Sequence, residues 1–186
     1  MELMEAICQR RSIRQYRDQP VNDQLVQELI AAACLSPSAK NRQPWKFMVL
    51  RGAEKDQVAQ LMEAWCNAQG QDIPRYAKSS RYTAGSIRQA PVLILIFCAP
   101  DPIWDIGDAL SIGAAAEHMC LRAEELGLGT LWILDTRYAA PEICRYVGAG
   151  ALTLTCALAV GYADEAPPSR PRKSPEETML RFNGPV

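Results

Sequence analysis

Apolar residues recur along this chain in two rhythms, and the alternation between them predicts most of its elements. Glu2 to Cys8 reads as a short helix. Asn22 is a natural N-cap for a second helix, whose Leu25, Val26, Leu29, Ile30 and Ala33 fall on one face and which Pro37 ends. Trp45 to Leu50 alternates as a strand, with Trp45, Phe47 and Val49 on one side. Helical spacing returns from Glu54 to Trp65 through Val58, Leu61, Met62 and Trp65. Val92 to Cys98 is apolar on both faces, the pattern of a fully buried strand. Asp105 to Leu126 is the longest predicted helix, closed by Gly127 and marked by the small residues Ala109, Gly113, Ala114, Ala115 and Ala116. Thr130 to Leu134 is a strand, Pro141 opens a short helix that Gly148 stops, and Leu152 to Val160 is the last strand. Beyond Gly161 the tail is proline-rich and extended, and Ser174-Pro175-Glu176-Glu177 forms a capping box for one final turn. Strand–helix–strand neighbours point to a parallel sheet, while the two leading helices point to an α+β arrangement.

Asn67 to Gln89 breaks the pattern. It is polar, carries Gly70, Pro74 and Gly85, and bears Arg75, Lys78, Arg81 and Arg88. It reads as a mobile lid with a single helical turn. No internal repeat or long linker divides the chain, so residues 1–186 read as a single domain with 67–89 as a substrate lid.

Composition narrows the function classes. With 48% hydrophobic residues the 186-residue chain can bury a real core, and a disordered reading is excluded. A net charge of -1 argues against nucleic-acid binding through bulk basicity, so any anion site is a local cluster. Seven cysteines are scattered without a C-x-x-C pair and lie mostly in apolar stretches, which reads as reduced thiols in a cytoplasmic protein. One histidine, His118, makes a His-built metal site improbable, and it reads as a helix packing residue. The longest strongly apolar run, Val92 to Ala99, is too short to span a bilayer, and the first residues lack the apolar stretch of a signal peptide.

Three segments carry candidate chemistry. Arg10-Arg11-Ser12-Ile13-Arg14 gathers guanidinium forks and a hydroxyl suited to a phosphate; its plainer reading is a solvated basic surface after a helix. Ser36-Pro37-Ser38-Ala39-Lys40-Asn41-Arg42-Gln43-Pro44-Trp45 is a loop fixed by two prolines, able to present directed donors and acceptors to a flat polar ring; it could equally be a simple helix-to-strand connection. Arg170-Pro171-Arg172-Lys173 is a stiff, charged stretch that can reach back to an anion site, or be merely a charged tail. The first two segments together suggest a flavin mononucleotide (FMN) site. No G-x-G-x-x-G opens a helix after a strand, no P-loop is present, and no G-x-S-x-G elbow appears.

With these residues in view the chain resembles the nitroreductase family of FMN-dependent oxidoreductases. The carrying stretches are R-R-S-I-R at Arg10 to Arg14, S-P-S-A-K-N-R-Q-P-W at Ser36 to Trp45, Ser111 to Thr130 with Trp132 to Leu134, and R-P-R at Arg170 to Arg172. The resemblance implies an α+β fold with a central mixed sheet, and a homodimer with two FMN sites at the subunit interface. It implies Arg10, Arg11, Ser12 and Arg172 around the phosphate, with Arg170 close by. Arg14 would lie beside N1 and O2 of the ring, and the backbone at Leu134 and Asp135 would face N5. Pro37, Ser38, Asn41 and Gln43 would reach the flavin from the partner. The implied reaction is ping-pong transfer from NADH or NADPH through FMN to a small electron-poor acceptor such as a nitroaromatic or quinone. Family relatives include reductive dehalogenases, ring dehydrogenases and a flavin-destroying enzyme, and a flavin-binding module without turnover is a further alternative. The chain departs from the family pattern at His118, where Asn is frequent, and at Leu134-Asp135, where many members are glycine-rich.

Overall fold

A computed structural model describes residues 1–180 and 182. Residues 181 and 183–186, which the single-domain expectation also takes in, lie outside the described residues. Four strands build one sheet: β1 (Trp45–Leu50), β2 (Val92–Cys98), β3 (Gly129–Ile133) and β4 (Thr153–Gly161), in the order β1-β2-β4-β3. Every neighbouring pair is antiparallel. Among the described residues seven α-helices accompany them: α1 (Leu3–Gln9), α2 (Asp23–Cys34), α3 (Gly52–Ala68), α4 (Ser80–Gln89), α5 (Asp105–Glu125), α6 (Ala140–Tyr146) and α7 (Pro175–Thr178). The chain is α+β, with helices on both faces of one antiparallel sheet.

The expectation of parallel neighbours is corrected. β2 and β3 do run the same way, as one intervening helix, α5, requires, but β4 lies between them and opposes both. β1 and β2 are joined by two helices, α3 and α4, that run out and back, so the chain re-enters the sheet reversed. Among the described residues the one recorded parallel pairing is the isolated bridge of Ser12 to Thr130.

Both faces of the sheet are covered, which is why β2 lacks polar alternation. Val92, Ile94 and Ile96 face α2 and α5 with Leu29, Ile112 and Met119. Leu93, Leu95 and Phe97 face the other way, toward Val58 and Met62 of α3, Ile87 of α4 and Ile143 of α6. The predicted caps form. Asn22 Oδ1 accepts from the Gln24 amide at 2.7 Å and the Leu25 amide at 3.3 Å. Gly127, at φ +73°, closes α5 while the Leu128 amide donates to the Ala123 carbonyl at 2.8 Å. At α7, Glu177 and Ser174 satisfy each other's backbone as a capping box.

Segment 67–89 differs from its predicted form. Its second half is the ten-residue helix α4, packed on α3 with Ala84 and Ile87 fully buried. Small residues carry the buried face, Ser80, Ala84 and Ser86, so the apolar period is faint in the sequence. β3 also ends one residue early: Leu134 has left the extended conformation, at φ -99° and ψ -16°.

Candidate functional site: an arginine cleft and a chamber that share Arg14

The ribbon that follows α1 runs across the end of the sheet beside β3. The Ile13 amide donates to the Thr130 carbonyl at 2.8 Å, and the Arg17 amide to Tyr162 at 2.9 Å. Tyr16 pairs with Ala163, and its buried phenol donates to the Ile13 carbonyl at 2.7 Å. Burial pushes the Tyr16 hydroxyl well above its ordinary range, so it stays a donor. Two glycines facing each other, Gly129 and Gly161, make room for this ribbon. A Cβ at Gly129 would come within 2.7 Å of the Ile13 side chain, and one at Gly161 within 2.8 Å of the Tyr16 ring.

So placed, the arginines of the two chain ends meet. Arg10, Arg11, Ser12 and Arg14 line one cleft of about 550 Å³ together with Arg170, Arg172 and the proline-stiffened stretch Pro167–Ser169. Five guanidinium groups border it, a donor set that fits a phosphate. The groups are not equally free. Arg10 Nε lies 3.6 Å from Glu117. Arg11 Nη1 donates to the carbonyls of Cys8, Gln9 and Arg10 at 2.7–3.0 Å, so this side chain also caps α1, while its buried Nε has no partner among the described residues. Arg14 Nη1 donates to the Ser12 carbonyl at 3.1 Å.

Arg14 borders a second chamber as well, of about 240 Å³, between the end of β3 and the segment before and within α4. Trp132, Leu134 and Asp135 form one wall, and Ser79, Tyr82 and Thr83 the other. Asp135 Oδ2 accepts from Thr83 Oγ1 at 3.0 Å and from Ser79 Oγ at 3.3 Å, which ties the two walls together. Leu134 and Asp135 were expected here; Ser79 and Thr83 were not. Their spacing of four on a polar helix start was the available signal.

The loop holding Pro37, Ser38, Asn41 and Gln43 borders neither cavity. It is nonetheless fixed. Gln43 and Asn41 hold φ of 49° and 55°, and the Gln43 amide donates to Ser38 Oγ at 3.0 Å. Arg42 clamps the loop to the start of α5: Nε and Nη2 each lie 3.1 Å from the buried carboxylate of Asp108, and Nη2 reaches Asp101 at 2.9 Å. The Arg42 guanidinium also stacks over Trp104, 5.0 Å from the ring centre, and the Asp108 hydrogen bond raises its already high pKa. His118 sits half-buried where α5 crosses α2, its Nδ1 3.3 Å from the Ala32 carbonyl oxygen, and lines neither cavity. Among the described residues no three His, Cys, Asp or Glu side chains come together as metal ligands would, and no helix is long and apolar enough to cross a membrane.

The family model for the nitroreductase family matches residues 7–162. The chain belongs to the nitroreductase family. It is 30% identical over 136 residues to a protein of Methanothermobacter thermautotrophicus provisionally named NADH dehydrogenase/NAD(P)H nitroreductase, an alignment covering 71% of this chain and 60% of that relative. It is 27% identical to the iodotyrosine deiodinase of Thermotoga neapolitana, over 97% of both chains. Among solved structures it resembles a provisionally named nitroreductase from Desulfovibrio desulfuricans in complex with FMN, with a TM-score of 0.77, 28% identity and coverage of 100% and 99%. Nitroreductase-family membership thus rests on sequence and fold together.

Proposed function

We propose that the chain is an FMN-dependent oxidoreductase that accepts reducing equivalents from NADH or NADPH and passes them to a small electron-poor acceptor. The observation that carries this reading is the meeting of Arg10, Arg11, Arg14, Arg170 and Arg172 in one cleft, with Arg14 also lining a second, mixed polar and apolar chamber. The cleft would hold the phosphate, with Ser12 adding a hydroxyl donor. When bound, FMN supplies the two-electron chemistry that lets one site serve donor and acceptor in turn. Arg14 would set a fixed positive charge at the boundary of the two cavities, beside the pyrimidine edge, where negative charge grows on reduction. Leu134 and Asp135 would face the opposite part of the ring. Tyr82, 82% exposed, and the hydroxyls tied to Asp135 would meet the acceptor.

A second copy of the chain completes this reading. Ile103, Ile106 and Leu110 stand 86%, 72% and 71% exposed on one side of the α5 start, and the clamped 37–43 loop adjoins them through Ser111, whose Oγ lies 3.3 Å from the Ala39 amide. Burying that face against a partner would carry Pro37, Ser38, Asn41 and Gln43 toward the partner's arginine cleft.

The full-length likeness to a deiodinase favours reductive dehalogenation as a second reading of the same site. The test is an absorbance spectrum of the purified protein, alone and with riboflavin 5′-phosphate, then with each nicotinamide under anaerobic conditions. Bleaching of a bound flavin by NADH or NADPH is the expected result; a protein that stays colourless overturns the proposal. Adding nitroaromatics, quinones or halogenated phenols to the reduced protein then separates the acceptor classes.

A further inference from the structure

One side chain of the C-terminal arm is bound to the main chain of the site without lining either cavity of the proposed flavin site. The Glu165 carboxylate accepts, through the same Oε1, the amide of Arg14 and, at 3.1 Å, the amide of Gln15. Neighbouring positions of the ribbon are held by main-chain partners: the Ile13 amide by Thr130, the Arg17 amide by Tyr162, and the Gln15 carbonyl by the Asp164 amide. Glu165 supplies the acceptor that the sheet does not offer to the Arg14 and Gln15 amides. Arg14 itself is exposed and its side chain has one recorded anchor, the Ser12 carbonyl. Its position therefore depends on the backbone beneath it. Glu165 also sits two residues before Pro167, where the stiff arm carrying Arg170 and Arg172 begins.

We infer that Glu165 is the positioning residue for Arg14: its carboxylate fixes the Arg14–Gln15 main chain so that the guanidinium stays at the junction of the arginine cleft and the chamber. The inference rests on the proposed role of Arg14 beside the flavin, but the hold on the backbone can be read without any flavin. A carboxylate oxygen is a stronger acceptor for amides than water, and losing it frees the peptide to move. Gln at this position keeps an acceptor oxygen of the same reach, whereas Ala removes it.

The test uses the full chain in two states. In the flavin-free protein, E165A should speed hydrogen exchange at the Arg14 and Gln15 amides by roughly tenfold while the β2 amides keep their protection, and E165Q should restore most of the difference. In the FMN-loaded protein, E165A should slow flavin reduction by more than it weakens FMN affinity, again with rescue by E165Q. Unchanged exchange at Arg14 and Gln15 in E165A overturns the inference. So does faster exchange with normal reduction, provided Arg14→Ala does slow reduction. Should the chain fail to bind FMN at all, the functional reading falls, and the exchange measurement still decides whether Glu165 holds Arg14.

Discussion

Arg14 differs from the other arginines of the site because it borders both cavities while Arg10, Arg11, Arg170 and Arg172 border one. Replacing it should act on electron transfer more than on cofactor retention. Arg14→Ala is expected to keep FMN bound while reduction slows by ~10²-fold, the scale of losing one preorganised donor; stopped-flow reduction of the fully loaded variant measures this. That Arg10, Arg11, Ser12 and Arg14 form a local cationic cluster was legible in the sequence because they are neighbours along the chain. The restraints on them were not. Arg11 as the cap of α1, Glu165 beneath Arg14, and the Ser79–Asp135–Thr83 tie arise from approaches that only the folded chain creates.

Elements position these residues through close backbone approaches. The ribbon bearing Arg14 lies over the Gly129–Gly161 pair, and Ile13 packs where a Gly129 side chain would stand. Ile13 cannot move aside easily, since its own amide is bound to Thr130. Gly129→Ala should therefore cost ~1–3 kcal/mol as overpacking, seen as a lower urea midpoint, and should weaken FMN binding by displacing the ribbon. The β1 strand and helices α2, α3 and α5 were readable from periodicity because each buries large apolar residues on one face. α4 was not, because its inward face is built from Ser80, Ala84 and Ser86 with a single large residue, Ile87. Strand adjacency was likewise hidden: local patterning gives β2 and β3 the same direction but says nothing of the strand that comes between them.

For the whole molecule, the apolar α5 face is the proposed route to a two-site dimer. Leu110→Asp should shift the protein to a monomer in size-exclusion chromatography with light scattering, and should release FMN if the 37–43 loop serves the partner's site. Stability should also depend on alkaline pH. Burial pushes Cys120 up to about 11 and Cys156 up to about 12, from an ordinary value of 9.0. A raised folded-state pKa means the unfolded chain loses its proton first, so this contribution is intact below pH 9.0 and declines as pH rises toward those values. Thermal unfolding between neutral pH and pH 11 should show the fall, and replacing Cys120 with Ala should flatten it.

The sequence alone determined which stretches bury apolar surface, where helices cap, and which cationic groups cluster along the chain, since each depends on residues near one another in the chain. Tertiary structure decided that the two arginine clusters border a single cleft, that Arg14 belongs to two cavities, and that the proline loop lies away from its own cleft. Those outcomes depend on strand order and on contacts across as many as 151 residues, which no local pattern encodes.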